Sequence, residues 1–287
     1  MDRRETYKAI FEDTMQLCQT KELLKNAVAV SNQNQYIVRD QTVVKTDQTK
    51  RYEHPAKILV SKKRSLEAAG NKEYEGMKVC VHNFASATNP GGGVVNGASA
   101  QEECICRCST LYPSLSEEAM WKEFYQQHLL QIKQGKMDPT YNDDCIFTPG
   151  VVVFKTDDDQ YRLIAEDAWY RVDVLTCAAP NLRQNPSNAM NPGSGANVSG
   201  ISVAQLRALH KKRLQKMLSI AKKEKEEVLI LGAFGCGAFR NPAWVVSEVF
   251  HEVIQEFLYD FRVIEFAVYC RPRDMANYEA FCKVFQP

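Results

Sequence analysis

The chain has 287 residues, 45% apolar and 25% charged, with a formal net charge of +1. These are the values of a soluble globular protein, and so even a balance supplies no electrostatic reason to bind nucleic acid or a membrane surface. The apolar stretches are all too short or too interrupted to span a bilayer or form a signal-peptide core, so the expectation is a cytoplasmic protein.

Along the chain, residues 3–29 predict a helix, with Ile10, Met15, Leu17 and Leu24 set between charges. The polar stretch 40–54 reads as a loop. Strands are predicted at Lys57–Val60 and Lys78–Asn83, then a helix rich in Glu, Lys and Gln over 116–136. Further strands are predicted at Val151–Lys155 and Val172–Ala178, followed by an Asn-, Pro-, Ser- and Gly-rich loop over 181–200. That loop suits either a mobile flap or a tolerated insertion. A helix over 203–221 carries Leu206, Leu209, Leu214, Met217 and Leu218 on one stripe. Strand Val228–Leu231 precedes a helix over 242–258, with Asn241 as its cap and Pro242 as its first residue, and strand Ile264–Tyr269 comes last. Alternating short apolar runs and amphipathic stretches predict an α/β domain, and neither loop is long or flexible enough to separate two domains.

Ten cysteines raise the question of a metal or a disulfide scaffold. Cys104, Cys106 and Cys108 alternate, and no Cys-x-x-Cys or His-x-x-x-His pair supports them. Reduced, buried thiols are expected, with no metal and no cofactor.

The segment Asn83–Glu103 carries the chemistry. A strand end runs into Gly91-Gly92-Gly93, and a helix begins near Gln101. Consecutive glycines let bare backbone amides approach an anion closely. The segment lacks Gly-Lys-Ser/Thr, and Asn96 breaks the Gly-x-Gly-x-x-Gly spacing, which excludes two common nucleotide loops. Gln101-Glu102-Glu103 then sets two carboxylates side by side. A helix start favours their ionised forms; burial and mutual repulsion favour a proton on one of them. Such a pair suits glycoside chemistry.

A second junction follows Val228–Leu231: Gly232-Ala233-Phe234-Gly235-Cys236-Gly237-Ala238-Phe239-Arg240-Asn241. Two such loops at strand ends could flank a diphosphate, and Phe234 and Phe239 could pack on a sugar or base. His82 should point away from its neighbour Asn83 and be structural. Cys236 lacks a partnered base and reads as a small packing residue.

Gly91-Gly92-Gly93, seven residues, then Gln101-Glu102-Glu103 resembles the signature of the poly(ADP-ribose) glycohydrolase family. Gly235-Cys236-Gly237-Ala238-Phe239 resembles its diphosphate loop. Arg3-Arg4-Glu5, Thr148-Pro149-Gly150-Val151 before a strand, and Cys177-Ala178-Ala179-Pro180-Asn181 after one resemble the microbial branch. The resemblance implies a macrodomain-like three-layer α/β/α fold with a mixed sheet: one catalytic domain over 1–287, with 1–56 an N-terminal helical extension and 57–287 the core. It implies ADP-ribose, as polymer or on protein, as the substrate of a monomeric hydrolase. Glu103 would be the acid, Glu102 the carboxylate that holds ribose hydroxyls, and Phe239 the ring that positions the terminal ribose. Gly235–Ala238 would supply diphosphate amides, and Asn89, Gly91, Gly92, Gly93 and Gln101 would complete the contacts. The alternatives are release of single ADP-ribose units from Ser or Thr, and a non-catalytic ADP-ribose reader.

Overall fold

The computed structural model describes residues 2–47, 49–189, 193–196 and 200–286. One sheet is formed by β1 (Tyr36–Val38), β2 (Lys57–Ser61), β3 (Val79–Phe84), β4 (Cys145–Val153), β5 (Tyr170–Cys177), β6 (Val228–Leu231) and β7 (Val263–Ala267), in the spatial order β1-β4-β5-β3-β6-β7-β2. From β5 to β2 neighbouring strands are parallel, whereas β4 runs antiparallel to both β5 and β1. All residues of β6 and β7 are buried, as a strand covered on both faces requires.

The helices are α1 (Arg3–Thr20), α2 (Glu22–Asn34), α3 (Ser65–Ala69), α4 (Gln101–Cys108), α5 (Leu111–Leu115), α6 (Glu118–Met120), α7 (Gln126–Lys133), α8 (Val203–Lys223), α9 (Ala243–Ile254) and α10 (Ala276–Phe285). Strand alternation sorts them into layers. Cys80, Leu229, Leu231, Ile264 and Phe266 pack with α8, α9 and α10, while Val79, Val81, Val228 and Ile230 pack with α1, α3, α4 and α5. The fold is the expected mixed three-layer α/β/α sandwich. Among the described residues no helix is long and apolar enough to cross a membrane.

Four elements differ from expectation. The helix predicted over 3–29 is two helices, broken at an extended Lys21. Tyr7, Phe11, Thr14 and Cys18 form one buried stripe and Leu24, Ala27 and Ser31 another, and the break lets each face its own surface. The segment 116–136 is likewise divided, by a π-helical turn over Trp121–Tyr125 whose wider winding turns both Phe124 and Tyr125 inward. Strand β4 starts well before Val151, so Thr148-Pro149-Gly150-Val151 lies inside it rather than ahead of it. The pairing register shifts there, and the Gly150 amide donates to Asp173 Oδ1 at 2.8 Å, so a bulge absorbs the proline. Finally β1, which periodicity did not reveal, lies within the 1–56 stretch and pairs with β4.

Candidate active site

Strands β3 and β6 are parallel neighbours, yet the helices that follow them part: α4 packs on one face of the sheet and α9 on the other. Chain leaving adjacent strand ends in opposite directions opens a crevice at their carboxyl ends, where such sheets bind ligands. Both glycine loops line that crevice.

In the first loop the Gln101 amide bridges strand and helix: Oε1 accepts from the Phe84 amide at 2.8 Å, and Nε2 donates to His82 O at 2.7 Å and Ser65 Oγ at 2.9 Å. The Gln101 side-chain amide is thus engaged within the protein where α4 begins. Glu102 Oε2 accepts from the Ser86 amide at 2.7 Å, and its Oε1 from Asn83 Nδ2 at 3.4 Å. Glu103 Oε1 accepts from the Gly93 amide at 2.9 Å. Gly92, at φ +58°, passes so close that a Cβ would lie 2.6 Å from Glu103 Oε1 and 3.0 Å from Glu102 Oε2. The loop therefore wraps the carboxylates through backbone alone.

Glu102 and Glu103 are only 3% and 7% exposed, and burial raises the pKa of both. The charge of Glu103 raises Glu102 further, while donation from Ser86 and Asn83 opposes it. Two neighbouring buried carboxyls do not both ionise, so the pair retains a proton. Glu102 has donors on both oxygens, which favours its carboxylate. Glu103 Oε2 is buried and receives no hydrogen bond among the described residues. Burial and the Glu103 charge nevertheless raise Glu102 the more strongly of the two.

His82 lies on the opposite face from Asn83, against Phe84 and Phe234 at 4.9 and 4.4 Å between ring centroids. Burial pushes its pKa down to about 3, so it is a neutral core residue. Phe234 is fully buried beside it and offers no surface to a sugar; Phe239 is half-buried and packs 6.2 Å from the Tyr141 ring. The thiol of Cys236 is pushed up to about 12 by burial, which removes it as a nucleophile. Gly237 and Ala238 are exposed at the loop's tip, and nothing lies within 4 Å of a Cβ built on Gly237. Asn89 is half-buried, its amide on Ser86 Oγ at 3.1 Å, beside Gly91.

Sequence reasoning missed the residues that hold the loops. Ser86 both donates to Glu102 and accepts from Asn89. Asn241 is not the cap of α9, a position held by Pro242. Its Nδ2 instead donates to Pro180 O at 2.7 Å and Gly235 O at 3.1 Å, tying the second loop to the end of β5. The segment after β5 docks on that loop: the Leu182 amide donates to Phe239 O at 3.0 Å, and the Arg183 guanidinium lies 5.8 Å from the Phe239 ring. Of the expected loop 181–200, residues 190–192 and 197–199 lie outside the described residues. A polar groove of about 740 Å³ is lined by Gln127 and Gln131 of α7 with Arg39, Lys136, Tyr141 and Asn142, and none of the expected site residues lines it.

Fold and site together define a macrodomain-like glycoside hydrolase. The profile of the microbial-type PARG (poly(ADP-ribose) glycohydrolase) catalytic domain matches residues 5–156, just over half of the chain. Solved structures match over nearly all of it. The poly(ADP-ribose) glycohydrolase from Thermomonospora curvata is 29% identical with a TM-score of 0.79, covering 98% of this chain and 100% of that one. The same organism's enzyme bound to the inhibitor ADP-HPD is 28% identical, with a TM-score of 0.77 and coverage of 97% and 99%. The enzyme from Deinococcus radiodurans in complex with ADP-ribose is 26% identical, with a TM-score of 0.73 and coverage of 90% and 97%. A search of curated proteins gives no match. The chain belongs to the microbial-type poly(ADP-ribose) glycohydrolase family.

Proposed function

We propose that the chain cleaves the O-glycosidic ribose bond of poly(ADP-ribose) and releases ADP-ribose, with Glu103 acting first as acid and then as base. The observation that carries this reading is Glu103 Oε2, a buried carboxyl oxygen that accepts no hydrogen bond from the described residues and so has no protein partner competing for its proton. Glu103 gives that proton to the glycosidic oxygen as the bond from ribose C1 breaks, and the bonding electrons leave with the oxygen. The resulting oxocarbenium-like centre is attacked by water, whose proton returns to Glu103.

Glu102, anchored by Ser86 and Asn83, holds the ribose hydroxyls. The amides of Gly235, Cys236, Gly237 and Ala238 take the diphosphate, those of Gly91–Gly93 line the other wall with Asn89, and Phe239 sets the ribose in place. Gly237 supports this assignment, because no protein atom near it demands a glycine. We further propose that residues 1–287 act as one catalytic domain, since β1 of the N-terminal stretch is a strand of the same sheet.

The test is ADP-ribose release from poly(ADP-ribose) and from a Ser-linked mono-ADP-ribosylated protein, with wild type and Glu103→Gln. Release from the polymer by wild type and its collapse in the variant are expected. A wild type that binds ADP-ribose and releases nothing would make the chain a reader; release only from the protein would move the leaving group to Ser.

A further inference from the structure

The N-terminal Arg3-Arg4-Glu5 run has no part in the chemistry above, yet it sits against the catalytic loop. Arg107 is one helical turn beyond Glu103 on α4, and its side chain is fully buried. Among the described residues no carboxylate lies within ion-pair distance of it, and its Nε has no partner. The guanidinium lies instead between two rings, 4.6 Å from Tyr7 of α1 and 5.2 Å from Tyr161, which meet each other edge-on. Its Nη1 donates to Ala98 O at 2.7 Å, on the chain between the glycine loop and α4. Arg3 Nε donates to the Tyr7 hydroxyl at 2.8 Å from the far side. The backbone of Arg4 presses on the same chain, because a Cβ at Gly97, where φ is +72°, would lie 2.3 Å from Arg4 O. Further along, Thr14 Oγ1 donates to Arg107 O at 2.6 Å.

A buried charge without a counterion is a poor way to stabilise a fold; an apolar side chain of similar length would serve better. Its use must lie in its field. Residues four apart on a helix are neighbours, and the acid four before Arg107 is Glu103.

We propose that Arg107, clamped beneath the catalytic helix by Tyr7 of the N-terminal helix, is a positioning residue of the reaction: its buried charge lets Glu103 alternate between acid and base, and its bond to Ala98 holds the glycine loop in register. The inference rests on Glu103 being the acid. The Arg107 charge lowers the Glu103 pKa against the burial that raises it. Facing the guanidinium are Tyr7 from α1, Glu103, Cys104, Cys106 and Cys108 from its own helix, and Tyr161 from the segment after β4. Facing Glu103 are Arg107, Glu102 and the Cys106 thiol. Asp157, raised to about 6 by burial, faces Cys104 and Arg64 instead, and Asp159 bonds to Arg64 and reaches the outer Arg3 at 3.8 Å.

The sign of the effect follows. The proton that starts the reaction is lost as pH rises through the Glu103 pKa, which sets the basic limb of kcat/KM. Removing the nearby cation makes Glu103 a weaker acid and moves that limb up. The experiment measures kcat/KM against pH on poly(ADP-ribose) for wild type, Arg107→Met, Arg107→Lys and Tyr7→Leu. Arg107→Met should shift the basic limb upward by about one pH unit and lower kcat more than it raises KM. Arg107→Lys should return the limb to its wild-type position. Tyr7→Leu should shift it in the same direction by less, which carries the test if Arg107→Met does not fold. Limbs at the wild-type pH in both Arg107→Met and Tyr7→Leu, or a Lys variant that behaves like Met, would overturn the inference and leave Arg107 a packing residue. Failure of the Glu103 reading is distinguishable: Glu103→Gln would then keep its activity, whatever the Arg107 variants do.

Discussion

The two glycine loops leave adjacent strands and face one crevice, but their glycines answer to different neighbours. In the first loop the crowding comes from the protein itself: Gly92 has the Glu103 and Glu102 carboxylates where a side chain would begin. At the tip of the second, Gly237 has nothing within 4 Å and an ordinary negative φ. A glycine that neither backbone strain nor packing requires is explained by close approach of something from outside, here the proposed diphosphate. On the proposed mechanism one loop builds the acid and the other leaves room for the substrate.

This contrast can be tested in decreasing order of effect. Glu103→Gln should lower turnover by about 10²–10⁴-fold while ADP-ribose binding persists; a variant with near-wild-type turnover would remove the acid from the first loop altogether. Phe234→Ala should cost about 3–5 kcal/mol of stability in denaturant unfolding, because its ring is fully buried against His82 and Phe84. Phe239→Ala should cost far less stability and act mainly on KM; equal losses in the two would erase the division between core ring and substrate ring. Gly92→Ala should cost about 1–3 kcal/mol and reduce kcat, since the added methyl must displace the Glu103 carboxylate. Gly237→Ala should stay within about 0.5 kcal/mol of wild type in stability yet weaken ADP-ribose binding by calorimetry. A stability loss there matching that of Gly92→Ala would mean that both loops are shaped by the protein alone.

Much of the fold could be read from the chain because periodicity is local. The stripes of α8 and α9, the apolar runs of β3, β5, β6 and β7, and the two strand–glycine–helix junctions all appear where expected. The misreadings share a cause. Pro149-Gly150 looks like a strand breaker, but the bulge in β4 is stabilised by Asp173 on the neighbouring strand. Tyr36–Val38 is too short to show a period and becomes a strand only because β4 offers an edge. Asn241 stands where a cap belongs, and its side chain is drawn instead to the carbonyl of Pro180, sixty-one residues earlier.

The sequence by itself determined the residue types and their order: the glycine triplet, the paired glutamates, the second glycine loop, and hence the family and its chemistry. Only the tertiary structure decided which glutamate lacks a donor on one oxygen, which phenylalanine is core, and what Gln101 and Asn241 hold. It also brought the N-terminal helix to the buried guanidinium of Arg107, one turn beyond Glu103. The physical reason is that burial, hydrogen-bond partners and field at a carboxylate are set by groups distant in the chain, such as Ser86, Asn83 and Tyr7 around α4. No local pattern encodes those distances.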